Sequence, residues 1–333
     1  MRAGMTRYSS PFGLLELRQK IAAKLAAENG IHAVPGDIMV TPGAKMALSL
    51  ALAAILQPGD EVVNVTPCYP SYLPQIRIAE PDCVLHNVDL RRNGFGLDIE
   101  SLAEVMGPKT KALVINFPHN PTGRMLSTAD LDKLAELLSH HANCWLISDE
   151  IYERLNFSDT VHLSPAARPE LAPRVVTING FSKAFSMTGW RIGYLVVKGP
   201  LMKTISKLQQ HMNTNVAPFI QMAALEALRL QPEFLAEYNG QLARNAEFLV
   251  ASISGSRALA LTPSEGGLFA FIDISGTGLS SDAFCSGLIE HHAVAATPGI
   301  SFGANWDGFV RVSLATDCPA FAEGVRRLVE FAG

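Results

Sequence analysis

Cysteine is scarce and scattered. Cys68, Cys83, Cys144, Cys285 and Cys318 are the only five in 333 residues, and no two form a C-x-x-C pair. An odd number without a spacing motif excludes a disulfide framework as the basis of the fold, and a reducing cytoplasm is the economical compartment. Charge is also sparse. Only 17% of residues are charged, 27 basic against 31 acidic for a net charge of −4, with no basic block. That excludes a dedicated binder of nucleic acid or of anionic membrane surfaces. The longest strongly apolar run, Met46 to Leu56, falls well short of the ~18 residues that suggest a membrane span. The opening MRAGMTRYSS has no apolar core of the kind a secretory signal needs. Internal repeats and low-complexity linkers are missing too. What is plentiful is apolar side chain, at 48% of the sequence, enough for a sizeable core and too much for a disordered chain. At ~100–200 residues per domain the length suggests about two domains.

Helical periodicity alternates with short apolar runs over the first two thirds. Leu14, Leu17, Ile21 and Leu25 fall on one helical face, with Gly30 as a plausible stop, and Gly43 precedes a second helix to about Leu56. The β-branched runs are EVVNV, CVLHNV (83–88), KALVINF (111–117), CWLISD (144–149), RVVTI (174–178) and IGYLVV (192–197). Helical segments separate several of them; one runs from Ser127 to His141, where Ser127 and Asp130 resemble a capping box. This pattern predicts an α/β fold: a mostly parallel sheet between two helical layers. From about Pro200 to Ser254 the chain reads as nearly all helix. GGLFAFIDI, a helix near Asp282–His292, HAVAAT, GFVRVSLA and a last helix from Pro319 then form a smaller α+β unit. The expected boundary lies near 232, giving a large domain over 1–232 and a small C-terminal domain over 233–333.

In such sheets ligands gather at the carboxyl ends of the strands. Three of those ends carry unusual polar groups: KALVINF leads into PHNPTG, CWLIS into Asp149, and RVVTI into NGFSK with Lys183. A loop lysine or a strand-end aspartate alone is more often a solvated group or a helix cap. Three on one face are a stronger signal. Asp149 follows an apolar run, so its carboxylate is expected near the core with a cationic partner, and Tyr152 is close enough to share its pocket. Arg191 heads another strand and calls for an anion. Gly43-Ala44-Lys45 before a helix offers free N–H groups suited to phosphate, although a TPG turn alone is an ordinary structural feature.

Together TPGAKMAL, NFPHNPTG, SDEIYE, NGFSKAFSMTGWRIGY and FVRVSLA resemble, in order, the motifs of fold-type I pyridoxal-phosphate aminotransferases of class I/II, the aspartate-aminotransferase-like branch. The resemblance runs from about Tyr8 to near the C-terminus. It implies pyridoxal 5'-phosphate as cofactor, held by Lys183 as a Schiff base, and ping-pong transamination between an L-amino acid and a 2-oxo acid. Lys183, Asp149 and Tyr152 would be catalytic, with Asp149 on the pyridine nitrogen. Asn120 and Tyr152 would bond the phenolic oxygen, Tyr69 would stack on the ring, and Ala44, Lys45 and Arg191 would hold the phosphate. Arg311, with Asn120, would grip the substrate carboxylate. Tyr8 would reach the phosphate of a partner subunit, which implies a homodimer with its active site at the interface. No metal, nucleic acid or membrane is implied.

Two departures stand out. Gly180 replaces a serine that in many relatives helps bind phosphate. The chain also begins seven residues before Tyr8, whereas relatives usually carry several dozen there. The small domain is therefore expected to lack its N-terminal share. Two alternatives follow: a β- or γ-lyase using the same cofactor, and a truncated cofactor-binding protein with little or no catalysis. GISFG (299–303) matches a hydrolase elbow only in letters, since strand and helix are missing around it. The pairs His140-His141 and His291-His292 lack the i, i+4 spacing of helical metal sites and read as helix-end residues.

Overall fold

The computed structural model describes residues 4–333, apart from the side chains of 231–233. Seven strands form the principal sheet: β1 (Ile38–Thr41), β2 (Glu61–Thr66), β3 (Val84–Asp89), β4 (Thr110–Asn116), β5 (Trp145–Asp149), β6 (Val175–Gly180) and β7 (Gly193–Val196), in the order β1-β7-β6-β5-β4-β2-β3. Only β7 runs against the others. The strand β1, with sequence IMVT, is absent from the runs picked out by sequence. It is four residues long and fully buried, so it lacks both length and alternation as signals.

The sheet sorts its side chains by the two-residue period of a pleated strand. Val62, Ala112, Val114 and Ile147 face one layer, whereas Val63, Leu113, Ile115 and Leu146 face the other. The first layer holds α2 (Ala44–Ile55), α3 (Tyr72–Ala79) and α6 (Leu201–Met212). Opposite lie α4 (Ile99–Val105) and α5 (Thr128–Ser139), with α1 (Leu15–Lys24) and α7 (Pro218–Ala227) covering β1 and β7. Ser127 does cap α5, its hydroxyl accepting the Asp130 N–H at 3.0 Å, a contact worth about 1 kcal/mol. The reciprocal half of the capping box is replaced, because Asp130 pairs with Arg91.

The remaining strands, β8 (Ala260–Leu261), β9 (Phe269–Asp273), β10 (Thr297–Pro298) and β11 (Phe309–Ser313), make an antiparallel sheet ordered β10-β11-β9-β8. It packs with α8 (Gln231–Ile253), α9 (Ser281–His292) and α10 (Cys318–Ala332) around Leu242, Phe284, Val310 and Leu328. The other side of this sheet joins the principal unit: Phe271, Trp306 and Phe309 surround Phe95 with ring centres 5.9–6.2 Å away. The two sheets therefore share an aromatic core, which fixes Arg311 on β11 relative to the ends of β4–β6. Among the described residues no helix is long and apolar enough to cross a membrane.

Candidate active site

Adjacent parallel strands β4, β5 and β6 end side by side, and the residues at and just after their ends open a cleft. Eight of the sequence-predicted residues line it: Ala44, Lys45, Tyr69, Asn120, Asp149, Tyr152, Lys183 and Arg191. Arg311 stands next to them through a 3.0 Å bond from its Nη1 to Asn120 Oδ1. Tyr8 is not brought to this cleft; its side chain is 88% exposed.

Asp149 terminates β5 inside the protein. The Tyr72 hydroxyl donates to its Oδ2 at 2.8 Å and the Ile151 N–H to its Oδ1 at 3.2 Å. Burial raises its pKa to about 6, against the opposing pull of these bonds and of Lys183. Asn116, at the end of β4, donates to the Asp149 carbonyl at 2.7 Å and accepts the Asn120 N–H at 3.0 Å. These bonds lock the NFPHN turn to β5. His119 in that turn is buried, which drives its pKa down to about 3 and keeps the ring neutral beside Thr122.

Lys183 follows β6, with Nζ 5.9 Å from the centre of the Tyr152 ring. Burial lowers its pKa, reinforced by the Arg311 and Arg191 charges and opposed by Tyr69 and Asp149. Tyr152 is itself pushed up, by burial first and then by the Asp149 charge. Burial would also raise Tyr69, but a Ser71 hydrogen bond and the Lys45 and Lys183 charges outweigh it and leave this phenol below its usual value.

One end of the cleft is built largely of backbone. Arg191 adopts the left-handed conformation, φ 52°, at a cost of about 1–2 kcal/mol for a residue with a side chain. Its guanidinium lies against Gly43, where an added Cβ would come within 2.6 Å of Nη2, and Gly43 itself has φ +82°. A side chain at Gly193 would strike the Ala44 nitrogen at 2.6 Å. Two glycines thus let β7 and Arg191 close on the N-terminus of α2, whose free N–H groups and positive dipole end favour an anion. Gly180 belongs to the same crossing: a Cβ there would meet Gly193 Cα at 2.9 Å. The serine expected at this position does not fit without backbone movement.

Arg311 marks the other end. It lies between the rings of Phe269 and Phe302, at 4.0 and 4.9 Å, and its Nη2 donates to Thr297 Oγ1 at 3.2 Å. Neither Arg191 nor Arg311 has a carboxylate partner among the described residues. Arg311 is partly buried, where a cation without a counter-charge is costly; Arg191 is exposed and adds its charge to the positive end of the α2 dipole, so the cleft suits a ligand, or a ligand pair, with an anionic group at each end and Lys183 between.

Sequence reasoning missed Leu48, Tyr72, Gln75, Asn116, Ser182 and Thr188, which also line the cleft. Tyr72 and Gln75 are three apart on one face of α3, a signal that the short helix obscured. Gln75 is 7% exposed and its Oε1 accepts from Ser49, while its Nε2 has no partner. A second polar cluster, Glu150, Glu153 and His162, places three possible metal ligands within 4.8 Å of one another. Those carboxylates are already engaged: Glu150 accepts from Ser148 and Ser164, and Glu153 is paired with Lys24 and Asn29. This network ties α1 to the turn that carries Tyr152.

A family model for aminotransferase class I and II matches residues 2–328. An aspartate aminotransferase of Pyrococcus abyssi is 36% identical over 328 residues, covering 98% of this chain and 84% of that protein. A probable aspartate/prephenate aminotransferase of Aquifex aeolicus is 37% identical over 335 residues, with coverage of 98% and 84%. The solved aromatic aminotransferase of Pyrococcus horikoshii superposes with a TM-score of 0.94 at 35% identity, covering 99% of this chain and 88% of that one.

Proposed function

The chain belongs to the class I and II aminotransferase family and is a pyridoxal-phosphate-dependent aminotransferase; from that premise we propose how its own residues divide the work. The cofactor fits this cleft: the glycine-walled cradle at α2 suits a phosphate, and Gln75 in the cleft wall has an Nε2 without a hydrogen-bond partner. When bound, pyridoxal phosphate supplies an aldehyde that takes up amines and a ring that draws electrons from the attached carbon.

The Ala44 and Lys45 N–H groups and the Arg191 guanidinium hold the phosphate. Asp149 holds the ring nitrogen protonated, Asn120 and Tyr152 bond the phenolic oxygen, and Tyr69 covers the ring. Lys183 holds the cofactor covalently. Its lowered pKa favours the neutral amine, the form that attacks a carbonyl and accepts a proton. Freed by an incoming amino acid, Lys183 Nζ takes the Cα proton. Arg311 grips the α-carboxylate as a planar fork, so one face of Cα is turned to the lysine. An amino acid leaves as its 2-oxo acid, and a second 2-oxo acid is aminated in turn.

The relatives named above are called after aspartate, prephenate and aromatic amino acids. Arg311 serves what such substrates share, an α-carboxylate. Tyr8, exposed on the N-terminal segment, reaches the phosphate of a second subunit, making a homodimer the working unit. Residues 1–232 act as the cofactor-binding domain and 233–333 as the small domain. Five free cysteines suit a reducing cytoplasm. The observation that supports this reading is a pair of guanidinium groups at the two ends of the cleft, neither with a carboxylate partner among the described residues, and both acting on Lys183.

A panel of amino acids offered against 2-oxoglutarate and pyruvate tests it. The expected result is transfer that requires both a donor and an acceptor, with parallel double-reciprocal lines. Ammonia or pyruvate release without an acceptor would instead mark elimination chemistry, and no reaction with any donor would contradict the proposal.

A further inference from the structure

Asp149 has an unusual set of neighbours for a carboxylate that must stay charged. Among the described residues no ammonium or guanidinium bonds to it directly. The titratable groups that face it are Tyr72 from α3, Glu150 from its own chain segment, Tyr152 from the following turn, and Lys183 from the loop after β6; Cys68, just before α3, acts on Tyr72. Of these only Tyr72 makes a side-chain hydrogen bond to the carboxylate. Lys183 acts through space, and Glu150 opposes the charge.

Tyr72 is built for one task. It is 3% exposed, packs in the core under α2, and meets Tyr69 edge-on at 5.6 Å. Its hydroxyl has a single hydrogen-bond partner, Asp149 Oδ2. Burial and the Asp149 charge push its own ionisation well up, so it stays a donor across the working pH range.

We propose that Tyr72 is a positioning residue whose hydroxyl holds Asp149 ionised and oriented for the ring nitrogen, so that α3 sets the acid limit of cofactor binding. The inference rests on Asp149 being the partner of that nitrogen. The sign follows from the carboxylate: a protonated Asp149 cannot pair with a protonated ring, so affinity falls as pH drops through the pKa of Asp149. With that pKa near 6, the fall begins near pH 6. A hydrogen bond to a charged group supports a shift of about one to two pH units, so removing the hydroxyl moves the fall upward by that amount.

The test is the pyridoxal phosphate dissociation constant of the full chain, measured by absorbance from pH 5 to 9 for wild type, Tyr72→Phe, Asp149→Asn and the double variant. Tyr72→Phe should bind almost normally at pH 9 and lose about 3- to 25-fold near pH 6.5, a recovery that a packing defect does not give. In the Asp149→Asn background the second change should leave the pH profile unmoved. A Tyr72→Phe profile like wild type, or one weakened equally at every pH, overturns the proposal. Wild-type behaviour of Asp149→Asn overturns the reading of Asp149 itself, and so separates the two failures. Site-specific 3-fluorotyrosine at position 72 keeps the shape with a stronger donor. It should move the fall to lower pH, and an unmoved or raised limit contradicts the inference even if Tyr72→Phe does not fold.

Discussion

Arg191 and Arg311 are both guanidinium groups at the edge of one cleft without a carboxylate partner among the described residues, yet they are held in opposite ways. Arg191 is positioned by backbone: a left-handed residue, a glycine contact at position 43, and a 2.9 Å bond to the Thr188 carbonyl. Arg311 is positioned by side chains: two phenylalanine rings, Asn120 Oδ1 and Thr297 Oγ1. A backbone cradle admits one shape and leaves little room to vary, as a phosphate that never changes requires. A side-chain frame drawn from β9, β10 and the turns that follow β4 and β10 can be retuned by single substitutions, as a substrate site requires. On the proposed division of roles, the fixed end would serve the cofactor and the adjustable end the substrate.

The largest effect comes from removing what stands between the two ends. Lys183→Ala should cost about 10⁴-fold or more in turnover, with amino-acid binding still dependent on Arg311. Arg311→Leu should lower kcat/KM by about 10²–10³-fold while pyridoxal phosphate affinity stays within a factor of two or so, as equilibrium titration beside steady-state kinetics would reveal. Arg191→Gln should reverse that pattern: cofactor affinity falls about 10–100-fold, and KM at saturating cofactor changes little. Equal losses of both quantities in either variant would erase the contrast. The smallest effect is expected at Thr297→Val, a rise in KM of a few-fold, read against an unaltered cofactor titration.

The same contrast governs what was legible in the sequence. The fixed end lies in contiguous motifs, TPGAK and MTGWR, whose glycines and N-terminal helix geometry announce an anion cradle. Strand ends carrying Asn120, Asp149 and Lys183 were visible because apolar runs stop abruptly at polar groups. Arg311 could be placed by resemblance, but Phe269, Phe302 and Thr297 could not, since each arrives from a separate segment and looks like ordinary core or turn. The phenol of Tyr72 that donates to Asp149 was not legible, because burial alone does not say which further donor the fold will bring. Gly180 was legible as a departure but not as a necessity. Only the approach of Gly193, 2.9 Å from a Cβ at that position, explains why serine is excluded.

Borohydride reduction of the cofactor-loaded enzyme, followed by peptide mass mapping, addresses the central claim most directly. If Lys183 sits between a phosphate site and a carboxylate site, the pyridoxyl group will be found on Lys183 and will vanish in Lys183→Ala. Labelling of Lys45 or any other lysine in its place, or no labelling at saturating cofactor, would contradict the account.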